Sequence, residues 1–438
     1  MPKYFGTDGI RGIPWNFPFT GQFLTKLGFC SGRVLSSGKN KKVYVGADSR
    51  KSGEKIKKHL FAGLKSAGLC PVDLGVVNTP LVAYACIKRK AAFGIMVSAS
   101  HNPPEFNGVK FFTRRGEKIS EETELRIEKM LDSSLKIHSA PAALRSEKED
   151  LSEEYADFIC STFPRPQLFK GLRLVLDCSN GGAYKIAPRV FARLGIKGRY
   201  IGVFPDGSNI NAGCGALDTK KMTKAVRSGK YFGGVSLDGD ADRCILADEK
   251  GEILDGDDIV ASLIELFSGP RGSSAVLTVM SNYGLFKYLK EKKVKTYEVS
   301  VGDRNVTEAM KKYRVPVGGE NSGHIVLLNF LPTGDGILSS LWAIYGALSR
   351  GRKLSHIKKM WKRYPQKLVA VKISEKKALE KVPGFLKAVK EKEKKIKGRI
   401  FVRYSGTEPL LRILAEGEEI KSVEKAALSL AELYRSAG

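Results

Sequence analysis

Residues 42–67 read KVYVGADSRKSGEKIKKHLFAGLKSA. Residues 42–46 have the β-branched and aromatic content of a strand, Ala47, Asp48, Ser49 and Arg50 make a polar loop, and residues 53–67 space their apolar side chains as a helix does. The order returns at residues 172–177, where Ser179, Asn180, Gly181 and Gly182 precede a helical stretch at 187–194. It returns again at 275–279, followed by Ser281, Asn282, Tyr283 and Gly284 and a helical 285–292. A weak internal repeat of α/β units is therefore expected, each with a polar, glycine-bearing loop at the carboxyl end of a strand.

Composition shifts mark the joints. The charged stretch 145–154 reads as a connector, the acidic loop 255–258 opens a further helix, and a third break falls near Tyr364 and Pro365. Beyond it, short strands are expected at 368–373, 399–404 and 411–415, with a closing amphipathic helix at 423–436, which makes a smaller α+β module. At 438 residues the chain is too long for one ordinary core.

Hydrophobic residues make up 42% and charged residues 27%, the balance of a folded protein. No apolar run reaches the length of a spanning helix and the start lacks a secretory core, so no membrane association and a cytoplasmic location are expected. Seven scattered cysteines form no CxxC pair and read as reduced thiols. The 74 Lys and Arg against 46 Asp and Glu leave a net charge of +28. Such a charge suits nucleic acid or small phosphorylated substrates. Much of it lies in helix-like stretches at 353–367 and 387–399 that read as solvated faces, and no nucleic-acid-binding signature accompanies it.

Four loops carry chemistry. SASHNPPEFNGVKFF, residues 98–112, follows an apolar strand at 92–97 and sets Ser100 just past its end. His101 can donate or polarise, Asn102 and Asn107 offer amides, and Lys110 supplies a cation for a phosphate or a proton transfer, although a Ser-His pair also fits an ordinary turn. LDGDADR, residues 237–243, places Asp238, Asp240 and Asp242 at alternate positions, where their charges repel unless a hard cation takes their oxygens. Counting twelve positions from Asp238 reaches Glu249, as in a calcium-binding EF-hand, but Arg243 stands where that motif needs glycine and the flanks read as strands. An aspartyl phosphatase would also use a DxD pair, though with Thr or Val usual at the place of Asp242. Magnesium beside a phosphate is the reading that fits. GGENSGH, residues 318–324, presents Glu320, Ser322 and His324 on a loop whose glycines allow close approach to sugar hydroxyls. RYSGTEPLLR, residues 403–412, sets Ser405, Gly406 and Thr407 between Arg403 and Arg412, which is phosphate-binding chemistry.

Taken in this order, with the opening YFGTDGIRG at 4–12, these loops resemble the α-D-phosphohexomutase superfamily over essentially the whole chain. The likeness is greatest to its bacterial phosphoglucosamine mutase branch, through DLGVVNTPLVAY at 73–84, NINAGCGALD at 209–218 and VGDRNVTEAM at 301–310. Asn321 stands where that branch usually has glutamine, and Tyr404 where it usually has proline. The resemblance implies a four-domain α/β architecture around a central cleft, three similar α/β domains followed by a smaller C-terminal α+β domain. Their limits would be 1–151 with the phosphoserine loop, 152–256 with the metal loop, 257–365 with the sugar loop, and 366–438 with the phosphate loop.

The implied activity is that of an isomerase interconverting glucosamine 6-phosphate and glucosamine 1-phosphate through phosphoserine and a sugar bisphosphate, feeding UDP-N-acetylglucosamine and cell-wall precursor synthesis. A phosphoglucomutase or phosphomannomutase of the same superfamily is the near alternative, and a basic nucleic-acid-binding protein with degenerate loops the distant one. The resemblance makes Ser100 the phosphoserine and, with Asp238, Asp240 and Asp242, a ligand of Mg²⁺, with Arg243 in support. It assigns Glu320 and Ser322 to sugar hydroxyls, and Arg403, Ser405, Gly406, Thr407 and Arg412 to the phosphate that is not reacting. Arg11, His101, Lys110 and His324 are the candidates for charge neutralisation and proton transfer. A hexose 1,6-bisphosphate is the expected activator and a small phosphosugar the expected partner; no nucleic acid is expected, and a homodimer is compatible with the sequence.

Overall fold

In the computed structural model, which describes residues 3–6, 8–36, 38–134, 137, 146–267, 273–404 and 409–437, the opening stretch becomes a strand and a helix. Strand Lys42–Ala47 is buried along nearly its whole length, as a strand covered on both faces must be. Helix Gly53–Ser66 buries Ile56, Leu60, Gly63 and Leu64, the i, i+4, i+7, i+8 stripe that lets one face pack on a core.

Among the described residues, eighteen strands fall into four sheets. The first holds β1 (Ile10–Gly12), β2 (Lys42–Ala47), β3 (Cys70–Val76), β4 (Phe93–Val97), β5 (Asn107–Thr113) and β6 (Glu147–Lys148), in the order β1-β5-β4-β2-β3-β6. The second holds β7 (Arg173–Asp177), β8 (Lys197–Ile201), β9 (Gly233–Leu237), β10 (Cys244–Ala247) and β11 (Ile253–Leu254), in the order β11-β10-β9-β7-β8. The third holds β12 (Ser274–Thr278), β13 (Lys295–Val299), β14 (Val317–Gly319) and β15 (Ile325–Leu327), in the order β13-β12-β14-β15.

One plan underlies all three. A first strand lies parallel between the next two (β2 between β3 and β4, β7 between β8 and β9, β12 between β13 and β14). An antiparallel strand then pairs with the third: β5 on β4, β10 on β9, β15 on β14. The serine loop, the metal loop and the sugar loop are thus the same connection, from the third parallel strand to its antiparallel neighbour, repeated three times. The carboxyl end of a parallel strand is where open α/β sheets place their ligands.

The chain forms two compact units, Met1–Met280 with Lys295–Met360, and Ser281–Val294 with Trp361–Gly438. The larger holds the three repeated sheets. The smaller holds an antiparallel sheet of β16 (Gln366–Lys372), β17 (Arg399–Tyr404) and β18 (Leu410–Glu416), in the order β16-β18-β17. Its core joins Val371, Leu411 and Ile413 of that sheet to Phe385 of helix Phe385–Ile396 and to Val423, Ala427 and Leu430 of helix Ile420–Ala437.

Three expectations change. The stretch 145–154 is more than a connector, because Glu147–Lys148 pairs with β3 and helix Ser152–Ser161 follows. The charge-rich 353–367 is not a helix throughout: only Ser355–Lys358 is helical, and β16 begins at Gln366. The helix after β12, Tyr283–Glu291, belongs to the smaller unit, where the Asn282 side chain donates to Tyr364 O and Arg399 Nη2 donates to Ser281 O. Among the described residues no helix is long and apolar enough to cross a membrane, and all seven cysteines are free.

Candidate active site

The serine loop leaves β4 on buried backbone. Ser98 N donates to Gly108 O, and Ser98 Oγ in turn accepts from Ser100 N at 2.8 Å. Ser100 is 1% exposed and has a φ of 53°, a left-handed conformation that L-residues other than Gly, Asn and Asp seldom hold. Its Oγ donates to Asp238 Oδ2 at 2.6 Å and lies 3.2 Å from His101 Nδ1. The metal loop passes close to the serine at Gly239, where a Cβ would come within 2.4 Å of Ser100 O, so only glycine fits.

Asp238, Asp240 and Asp242 are all buried and bring one carboxylate oxygen each within 4.8 Å of the others. Asp240 Oδ2 accepts from the Thr79 hydroxyl and from Lys110 Nζ at 2.7 Å, while Asp242 Oδ2 lies 3.3 Å from Lys110 Nζ. Asp240 Oδ1 and Asp242 Oδ1 are buried without a hydrogen-bond partner. Burial, reinforced by the charges of Asp242 and Asp240, pushes Asp238 well above the ordinary carboxylate range. Burial opposes the ionisation of Asp242 as well, but Lys110, His324 and Arg243 hold its carboxyl low. Crowded acids with orphaned oxygens and an all-oxygen donor set fit a hard divalent cation. Glu249, the twelfth position of the EF-hand count, faces Ser355 instead and accepts from its N and Oγ.

Lys110, on β5, lies among carboxylates. Burial works against its charge, yet Asp240, Asp242 and Asp8 together hold it well above an ordinary lysine. Asp8 Oδ2 lies 2.8 Å from Lys110 Nζ and 3.0 Å from Arg11 Nη2. Despite burial, Lys110, Lys118 and Arg11 keep Asp8 far below the usual range. Lys118 bridges Asp8 and Asp303. Arg11 Nη1 donates to Asn102 Oδ1 at 3.0 Å. His101 is lowered to about 4, by burial first and then by Arg243 and Arg11.

The third loop joins the second through a bridge between Arg243 and His324 and a bond from Cys244 N to Gly323 O. His324 is 2% exposed; neither ring nitrogen has a hydrogen-bond partner, and Nε2 lies 3.6 Å from Asp303 Oδ2. Asp242, Asp303 and His324 make a second close trio, in which Asp303 is paired with Lys118. Glu320 Oε1 accepts from Gly302 N at 3.0 Å, and Ser322 Oγ has no partner. Between these loops lies a cleft of about 390 Å³ lined by Asp8, Arg11, His101, Asp242, Arg243, Asp303 and Glu320.

Ser100, His101, Lys110, Arg11, Asp238, Asp240, Asp242, Arg243, Glu320, Ser322 and His324 all belong to the larger unit. Arg403 and Arg412 belong to the smaller one, as direct cross-strand partners. Ser405, Gly406 and Thr407 lie outside the described residues. Asn107, whose amide the sequence offers to the site, is wholly buried and spends that amide on Ser52 Oγ and Gly108 N. Asp8, Thr79 and Asp303 lie in YFGTDGIRG, NTP and VGDR, yet nothing local in those stretches marks them, or Lys118, as part of the site. Lys118 carried no signal of its own, because its two acids are far away in sequence.

Residues 2–137, 153–251 and 255–364 match the family descriptions Phosphoglucomutase/phosphomannomutase, alpha/beta/alpha domains I, II and III, and residues 368–433 match its C-terminal domain. The chain is 41% identical to the phosphoglucosamine mutase of Caldicellulosiruptor bescii, over 100% of this chain and 99% of that one. It is 40% identical to that of Geotalea daltonii, over 99% and 98%. Among solved structures it resembles a phosphoglucomutase/phosphomannomutase family protein of Burkholderia thailandensis, with a TM-score of 0.80 at 20% identity, covering 100% of this chain and 98% of that one. It also resembles the N-acetylphosphoglucosamine mutase of Aspergillus fumigatus in complex with GlcNAc-6P and magnesium, with a TM-score of 0.71 at 19% identity, covering 100% and 96%. Full-length identity at this level, on top of the thrice-repeated sheet and its loops, means that the chain belongs to the phosphoglucomutase/phosphomannomutase family, among its phosphoglucosamine mutases.

Proposed function

We propose that this chain interconverts glucosamine 6-phosphate and glucosamine 1-phosphate, with Ser100 as the residue that carries the phosphoryl group in transit. The observation that supports it most is a buried serine hydroxyl bonded to one member of an acidic trio whose other carboxylates keep buried oxygens without hydrogen bonds. Asp238, Asp240, Asp242 and Ser100 would hold Mg²⁺, which when bound neutralises charge on phosphoryl oxygens.

In the forward direction, the phosphoryl group on Ser100 Oγ passes to the free hydroxyl of the sugar phosphate. The bond from phosphorus to Oγ breaks, a bond to the sugar oxygen forms, and the hydroxyl proton must leave. Lys110, Arg11 and Arg243 neutralise the developing charge. His324, with both ring nitrogens lacking hydrogen bonds, is the group available to take that proton and return it. The bisphosphate then turns over and gives its other phosphoryl group back to Ser100. Glu320, fixed by Gly302 N, and Ser322 would read the sugar hydroxyls, while Arg403, Ser405, Gly406, Thr407 and Arg412 would hold the phosphate that is not reacting. A hexose 1,6-bisphosphate would load Ser100 at the start.

In this reading the domain limits are 1–151, 152–256, 257–365 and 366–438, the location is cytoplasmic, and the product feeds UDP-N-acetylglucosamine. The test compares turnover of glucosamine, glucose and mannose 6-phosphates with Mg²⁺ and a trace of hexose bisphosphate. Preference for glucosamine 6-phosphate, lost in Ser100→Ala, is expected. Preference for glucose or mannose phosphate would reassign the substrate, and an active Ser100→Ala enzyme would remove the serine from its role.

A further inference from the structure

Arg50 belongs to the loop after β2, on a different connection from the serine loop, and its side chain is fully buried. Its guanidinium offers five N–H donors. Nε donates to Asp48 Oδ2 at 2.9 Å. The other four go to carbonyls of the serine loop: Nη1 to Pro103 O and, at 2.9 Å, to Phe106 O, and Nη2 to Ser100 O at 3.0 Å and Asn102 O at 2.8 Å. An arginine kept only to balance Asp48 would have no need of four carbonyls from one loop.

The rest of the network closes on the same peptide. Asp48 Oδ2 accepts from Ser98 Oγ at 2.6 Å, and Ser98 Oγ accepts from Ser100 N. From the second sheet's NINAGCG loop, Asn211 Nδ2 donates to Ser100 O at 3.0 Å and to Asn102 O at 3.1 Å. Both ends of Ser100 are therefore gripped, on a residue held at a φ of 53°. The repeat supplies a comparison. Three positions after the end of β7 at Asp177 stands Asn180, where the first sheet has Arg50 three positions after the end of β2 at Ala47; Asp177 is satisfied by backbone N–H of Ser179 and Gly215. The arginine occurs where the hairpin loop it reaches carries Ser100.

We propose that Arg50 and Asn211 form a carbonyl clamp that holds Ser100 in its left-handed conformation and so aims Oγ at Asp238 for phosphoryl transfer. They are positioning residues, acting on the backbone of Ser100. The inference rests on the function proposed above and adds to it a requirement for loop geometry: a misaimed Oγ lowers the transfer rate while leaving phosphosugar binding nearly intact.

The experiment follows single-turnover loading of Ser100 from glucose 1,6-bisphosphate by intact mass, together with kcat, KM and the thermal midpoint, for wild type, Arg50→Lys and Asn211→Gly. Asn211 has a φ of 60°, so glycine keeps its backbone while removing the amide. The expected result is a fall in loading rate and kcat of about 10- to 100-fold in Asn211→Gly, with KM within about threefold. Arg50→Lys should do the same if it folds; the asparagine variant decides the matter if it does not. Asn211→Gly loading and turning over within about twofold of wild type would overturn the clamp alone, as would a loss seen only in KM or in thermal midpoint. A wild-type enzyme that never loads would overturn the proposed function and the clamp together.

Discussion

Asp240 shows how one side chain is divided between two tasks. Its Oδ2 takes the Thr79 hydroxyl and Lys110 Nζ, while Oδ1 is left buried without a partner. Thr79 also donates its backbone N–H to Asp240 O at 2.9 Å, so the threonine fixes both the main chain and the carboxylate plane of the residue. A partner that orients a metal ligand typically contributes about 10- to 100-fold in metal affinity. Thr79→Val, which keeps the shape and removes the donor, should weaken Mg²⁺ or Mn²⁺ binding by at least about tenfold in calorimetric titration, and Thr79→Ser should restore most of it. Equal affinity in the valine variant would mean that Lys110 alone suffices. The closeness of the three aspartates was legible in the sequence because their alternation is local. Thr79 carries no such signal: NTP reads as an ordinary helix start, and its tie to Asp240 joins residues 161 positions apart.

Helix Gly336–Ser349 is buried almost all round, so its amino end has no water to satisfy it. Asp335 caps it, accepting from Ile337 N at 3.1 Å and Leu338 N at 3.0 Å, and also accepts from the Tyr155 hydroxyl of helix Ser152–Ser161. Burial outweighs these bonds and raises the Asp335 carboxyl to about 6. As pH climbs from about 4 to about 6 the unfolded chain loses this proton and the folded chain keeps it, so stability falls across that window, by a few kcal/mol at most, and is flat above it. Asn caps a helix as well as Asp does. Asp335→Asn should therefore lose this downward slope in urea unfolding followed between about pH 4 and about pH 6, and gain on wild type towards neutrality; identical slopes would place the titration elsewhere. Elements with a clear period, such as Lys42–Ala47 and Gly53–Ser66, were readable from the sequence. Glu147–Lys148 and the end of the helix at Lys358 were not, since a two-residue strand exists only through its pairing with β3, and a run of lysines has no apolar stripe to say where a helix stops.

Across the whole molecule, the sequence revealed the repeated α/β unit but not that its three chemical loops are one connection used three times, because that equivalence lies in strand order and not in any shared motif. The chain as a whole carries an excess of +28. Lys387, Lys390, Lys392, Lys394 and Lys395 crowd one helix of the smaller unit, answered within it only by Glu391 and Glu393. A charge held by exposed lysines acts over about 10 Å at 0.1 M salt and about 3 Å at 1 M. If the chain's net charge serves to attract an anionic sugar phosphate, kcat/KM should fall several-fold as sodium chloride rises from about 0.02 M to about 0.5 M, with most of the change in KM. Chloride is the salt to use, since sulfate and phosphate would compete for the arginines. A neutral inhibitor of similar size would serve as the control and should show no such dependence. A flat kcat/KM would mean that the cations lining the cleft, Arg11 and Arg243, attract the substrate unaided, and that the lysine-rich helix acts through solubility or contact with another anion. A salt-sensitive shift on RNA in the same buffers would then identify that anion.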